Sequence, residues 1–230
     1  MSRDHYLGNA VWPDLWHAVR RPLLAIPVGS FEQHGPHLPL DTDTRIATAL
    51  ANGVADAFDA GDIAVGPAIT ISSSGEHAGF PGTLSIGRYV MERTVIELCR
   101  SADWAAGVVL VNGHGGNAMP VQRAVRQVQS EGRRVMSWWP RITDGDAHAG
   151  ITETSLMLAI APELVRADDA VAGRTEPIGE LSDELRAGGV RAVSPNGVLG
   201  DPSGASATHG RVLLTKLTID LVAAVDEWWT

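Results

Sequence analysis

Three short stretches of this sequence concentrate side chains that bind metals or move protons. SFEQHGPHLPLDTDT (30–44) holds Glu32, His34, His37, Asp41 and Asp43; NGHGGN (112–117) offers His114; DAHAGITETS (146–155) offers His148 and Glu153. Carboxylate and imidazole donors suit zinc, manganese or iron rather than a thiolate-loving site. Glu32 and His34 stand two residues apart, so an extended loop sends both side chains to the same side. Pro36 and Pro39 fix φ and stiffen that loop without a helix. Each residue also has a plain structural use. Either Asp41 or Asp43 is equally an N-cap for the helical pattern that follows, and Glu153 is an acid where a helix dipole favours one. A fourth stretch, SSSGEHAGFPGT (72–83), carries His77 as a candidate substrate contact at the rim, or is a surface loop. Trp138 and Trp139 offer an aromatic wall for a substrate, although core packing claims most tryptophans.

The turn around His114 has a rival reading. Gly113-His-Gly-Gly-Asn-Ala118 fits the dinucleotide pattern G-x-G-x-x-A after an apolar run, with Glu131 downstream. Against it, Glu131 falls at the end of the helical pattern rather than at the end of a following strand, and a histidine inside the turn would crowd a pyrophosphate. Metal binding is the better use of His114.

The elements that must position these residues follow from periodicity. Apolar β-type runs LLAIPV (23–28), IAVGPAITIS (63–72), GVVLVNG (107–113) and RVMSWWP (134–140) alternate with helical patterns at 44–58, 89–102 and 118–132. This predicts a βαβ arrangement with a mainly parallel sheet. Further helices are expected at 153–165 and 211–229. The Gly, Ser and Pro-rich stretch between them, 194–210, is too long for an ordinary connector, so it is functional or mobile. In an open α/β sheet the βα loops emerge at the carboxyl ends of the strands, where ligands bind. The three metal-type stretches leave strands on that side.

Composition bounds the rest. A hydrophobic fraction of 44% with 20% charged residues is ordinary for a globular chain, and 230 residues without a linker-like shift predict a single domain over 1–230. A net charge of −9 with no basic run gives counter-ion release little to act on, which argues against nucleic acid. The one cysteine, Cys99, forms no intrachain bridge and suits a reducing compartment. The absence of a membrane-length apolar run and of a signal-peptide pattern in MSRDHYLGN makes the cytoplasm the expected location.

Taken together, GSFEQHGPHLPLDTDT, HAGFPGT, NGHGGN and DAHAGITETS, in this order along the chain, resemble the creatininase (creatinine amidohydrolase) family. The 194–210 loop and SSGEHAGFPGTLSIG look most like the branch that trims the modified mycofactocin precursor peptide. The resemblance implies a three-layer α/β/α fold, a homo-oligomer, and two divalent ions per subunit, zinc, iron or manganese. Glu32, Asp43 and His114 match the ligands of one ion; His34, Asp43 and Glu153 match those of the other, with Asp43 bridging. His148 matches the catalytic histidine, with Glu153 also in the catalytic set, and His37 and Asp41 fall behind the ligands. The implied substrate is that peptide, cut near its C-terminus to release a Val-Tyr-derived core. The creatinine-hydrolysing members carry a glutamate two residues after the NGH histidine, where this chain has Gly116. That departure weakens the alternative of a small cyclic-amide hydrolase.

Overall fold

The computed structural model describes residues 5–143 and 145–229. Its centre is a four-stranded, all-parallel sheet of β1 (Leu23–Val28), β2 (Ile63–Val65), β3 (Gly107–Asn112) and β4 (Val135–Trp138), in the order β2-β1-β3-β4. β1 and β3 pair along their full length, from Leu23 beside Gly107 to Val28 beside Asn112, and every residue of both is buried. Unbroken apolar runs of this kind belong to parallel strands covered on both faces.

Alternation along the strands builds two cores. Leu23, Ala25, Val109 and Val111 face one side, packed with α2 (Thr42–Ala57), α5 (Ile151–Ile160) and α7 (Ala207–Trp229). Leu24, Ile26, Val108 and Leu110 face the other, packed with α3 (Gly87–Ser101) and α4 (Ala118–Ser130). The result is the three-layer α/β/α arrangement.

Where sequence and structure differ, local chemistry explains it. The apolar run 63–72 yields a strand only to Val65, because Gly66 and Pro67 follow and Pro67 has no N–H for a ladder. Beyond it only single bridges form, Ile69 with Val28 and Ser72 with Ser85. The helix expected over 153–165 ends at Ile160, two residues before Pro162. Two helices escape the periodicity, the short α1 (Trp12–Trp16) and α6 (Ile178–Val193). α6 is largely polar and kinked at Gly189 (φ 68°), and buries a small cluster of its own around Leu181, Val190, Val193 and Leu199. Among the described residues no helix is long and apolar enough to cross a membrane.

The 194–210 stretch folds back onto its own chain. Val198 and Leu199 are buried, and Leu199 pairs with His148 in both directions, N–H to O at 3.1 and 2.9 Å.

Candidate active site

The loops that leave the carboxyl ends of β1, β3 and β4 converge, as does the segment after β2. Glu32 and His34 come from the loop after β1, Asp43 from the first turn of α2, and His114 from the turn after β3. His148 comes from the loop before α5, Glu153 from that helix's first turn, and His77 from a 3-10 turn at Gly75–His77. All but Glu153 are buried, with Glu32 and His34 wholly so. Three sets of ligand atoms lie within 4.8 Å of one another: Glu32, Asp43 and His114; His34, His148 and Glu153; and Glu32, His77 and His148.

Each imidazole is oriented by its outer nitrogen. His34 Nδ1 donates to the Glu32 carbonyl at 3.0 Å, leaving Nε2 facing Asp43 Oδ1 at 3.1 Å and Glu153 Oε2 at 3.9 Å. His114 Nε2 donates to the Ser73 carbonyl at 3.0 Å, leaving Nδ1 facing Glu32 Oε1 and Asp43 Oδ2, both at 3.1 Å. A neutral imidazole so oriented turns a lone pair toward a carboxylate lone pair, an arrangement that needs a proton or a cation between them. Glu32 makes the same demand, since both its carboxylate oxygens are buried without a hydrogen-bond partner. Unsatisfied buried carboxylate oxygens, imidazole lone pairs and no sulfur ligand fit a hard or borderline divalent ion.

Electrostatics shows the same excess of negative charge. Burial opposes a charged His34, but Asp43, with Glu153 and Glu32, outweighs it and raises the imidazole to about 10. Burial likewise opposes ionised Asp43, yet His34 and His114 hold its carboxyl well below the usual range. His114 is raised well above its ordinary value despite burial, by Glu32 and Asp43. Glu153, half-buried at the cluster's edge, is pushed up to about 7 by loss of solvent around its carboxylate, against the pull of His34 and with the push of Asp43. His148 lies well below its usual value through burial and the neighbouring His34 and His77, so it is a neutral base.

The cluster thus gathers Glu32, His34, Asp43, His114, His148 and Glu153 as the sequence reading expected. Glu153 also caps, accepting the Ala149 N–H at 2.6 Å, and Ala149 takes the left-handed φ of 55° that aims this N–H at it. His77 sits deeper than a rim contact, its Nε2 3.3 Å from Glu32 Oε1. His37 lies behind the cluster, its Nε2 2.9 Å from the hydroxyl of Thr154, next to Glu153.

Asp41 is turned away. It occupies the N-cap position of α2, but its side chain bonds Arg45 at 2.8 Å rather than a helix amide or a cluster residue. Trp138 is not a substrate wall: strand alternation sends it into the α7 face, where its indole donates to Asp220 at 2.8 Å. Trp139, one residue on, lines a cavity of about 330 Å³ together with His114, Asp146 and Glu153. The G-x-G-x-x-A reading of the His114 turn fares badly, because Glu32 and Asp43 put negative charge where a pyrophosphate would need donors.

Two participants were missed in the sequence. Gln33 uses its amide N–H groups on His77 Nδ1 (2.8 Å) and the Gly197 carbonyl (3.0 Å), while its own backbone carbonyl receives His148 Nε2 at 2.8 Å. Its position between Glu32 and His34 was the available signal. Ser30 donates to Asp43 Oδ2 at 2.7 Å and fixes that carboxylate.

Comparison with known proteins agrees with this geometry. The creatinine amidohydrolase (Creatininase) family model matches residues 9–225. The mycofactocin precursor peptide peptidase of Mycolicibacterium smegmatis is 47% identical over 90% of this chain and 85% of its own length. The creatinine amidohydrolase of Pseudomonas putida is 30% identical over 74% of this chain and 77% of its own. A solved structure of a tryptophan-to-alanine mutant creatininase superposes with a TM-score of 0.83 at 25% identity, covering 99% of both chains. A parallel sheet whose loop ends bury this carboxylate and histidine cluster, and a family match over nearly the whole length, establish that the chain belongs to the creatininase family.

Proposed function

We propose that this protein is a dinuclear metal-dependent peptidase that cuts a modified peptide of the mycofactocin precursor type near its C-terminus, releasing a Val-Tyr-derived core. The observation that carries the metal part is the splayed Asp43 carboxylate: Oδ1 faces His34 and Oδ2 faces His114. One oxygen toward each histidine is what a residue shared between two ions requires. Glu32, Asp43 and His114 would hold one ion, and His34, Asp43 and Glu153 the other. The peptide substrate is supported by the 47% identical relative and by Gly116, which lacks the glutamate of the creatinine-hydrolysing members.

When bound, zinc, iron or manganese would activate a water at neutral pH and polarise the scissile carbonyl. The chain's own residues do the rest. Ser30 holds Asp43 in its splayed pose, and the Ala149 N–H holds Glu153 against the cluster. His148, fixed through Nε2 on the Gln33 carbonyl, presents Nδ1 inward, where it takes a proton and passes it to the departing nitrogen. Leu199 pairs its backbone with that of His148 and holds it in the buried cluster.

The test is metal content by plasma mass spectrometry beside cleavage of a synthetic precursor-type peptide followed by mass spectrometry. Wild type should carry about two ions per subunit and release the C-terminal fragment, as two-metal hydrolysis requires. Asp43→Ala should lose both ions and all cleavage while keeping its far-UV circular dichroism. Normal metal content in Asp43→Ala would remove the bridge, and intact peptide with metal-loaded wild type would remove the substrate.

A further inference from the structure

We infer that Glu76 is a positioning residue for His114, acting on that imidazole from outside the cluster, and that Gly116 exists to seat it. This rests on the metal reading above and adds a residue that reading does not use.

Three observations converge. The Glu76 carboxylate lines the same cavity as Glu32, Asp43, His77 and His148, with Oε1 3.5 Å from His114 Nε2. That is the outer nitrogen, the one that already donates to the Ser73 carbonyl, while Nδ1 faces Glu32 and Asp43. A carboxylate behind the outer N–H of a ligating histidine fixes the tautomer and makes the inner nitrogen a better donor. The second observation is spatial: a Cβ at Gly116 would collide with Glu76 Oε1, and with His114 Nε2 and the Ser73 carbonyl beside it. Any side chain at 116 would therefore evict the carboxylate. The third is that Glu76 is held from behind, since α6 packs on the Gly75–His77 turn that carries it. The residue has no other side-chain partner among the described contacts.

The role predicts which binding step Glu76 governs. The ion held by His114 depends on it, and the ion held by His34 does not, because His34 takes its orientation from the Glu32 carbonyl.

The experiment is zinc titration of metal-stripped full-length protein against a chromophoric chelator, for wild type, Glu76→Ala, Glu76→Asp, His114→Ala and the Glu76→Ala/His114→Ala pair. Thermal unfolding of each metal-free form is measured alongside. Glu76→Ala should weaken one zinc equilibrium by roughly 10- to 100-fold, the range for lost outer partners of a metal histidine. It should be the equilibrium that His114→Ala abolishes, and Glu76→Asp should restore part of it. The double variant should match His114→Ala alone, since a residue acting through His114 has nothing left to act on. Unchanged zinc affinity in Glu76→Ala would overturn the inference. So would equal weakening of both equilibria with a lowered metal-free melting temperature, which marks a general structural role. Wild type that binds no zinc, iron or manganese would sink the metal reading itself, a result distinct from either.

Discussion

At the scale of single residues, the site gives its ionisable groups, Glu32 excepted, one outward anchor and one inward face. His34 and His114 anchor on backbone carbonyls, Asp43 on Ser30 and Glu153 on the Ala149 amide. His148 follows the same rule through Gln33, but its Nδ1 stands 4.0 Å from Glu32 Oε1, farther than the 3.1 Å of His114. His148→Ala should therefore keep the metal content of wild type while kcat falls by roughly 100-fold or more, as befits a lost proton carrier. Plasma mass spectrometry with steady-state peptide cleavage reads both, and loss of an ion in this variant would place His148 among the ligands. Residue types and loop positions made most of this cluster legible in the sequence. Asp41 and Trp138 were misread because composition shows which groups are near a turn, not which way they point. Arg45 one helical turn on claims Asp41, and the two-residue period of β4 carries Trp138 to the far face.

At the scale of elements, the sheet and the helices behind it were readable because buried parallel strands are continuous apolar runs and their helices are amphipathic. α6 was not, because its helix is mostly exposed, carries Gly188 and Gly189, and owes its place to contact with the Gly75–His77 turn. The 194–210 segment hid its role for a similar reason: glycine and serine read as slack, yet here they allow close approach. Gly197 has φ 81°, and a Cβ there would collide with the Gln33 amide. Gly197→Ala should push the segment off Gln33, disturb His77 and His148 together, and lower kcat/KM by roughly 10- to 100-fold, the cost of small misplacements at a reacting centre. Kinetics at full metal loading check this; wild-type kcat/KM would mean that the segment yields without moving Gln33.

At the scale of the whole molecule, one buried thiol away from the site predicts a loss of stability at alkaline pH. Cys99 on α3 is 2% exposed within the α3–α4 core, and burial pushes its thiol from 9.0 up to about 11, Arg133 pulling weakly the other way. The folded state therefore keeps a proton that the unfolded chain loses, so this contribution is complete below about pH 9 and drains away as pH rises through about 11. Its full size is on the order of 2 to 3 kcal/mol. Urea unfolding at pH 8 and pH 10.5 should show a larger drop for wild type than for Cys99→Ala, and equal drops would contradict the burial argument.

The hydrogen bond from Gln33 to the Gly197 carbonyl spans 164 positions. Closing a loop of that length costs entropy that this bond cannot repay alone, so it depends on the contacts around it. A nascent chain has exposed Glu32, His34 and Asp43 long before the segment that closes over them is synthesised. On the metal reading proposed above, the full donor set exists only once His114, His148 and Glu153 have joined those three residues. On that reading, loading belongs to the folded chain and not to its growing fragment.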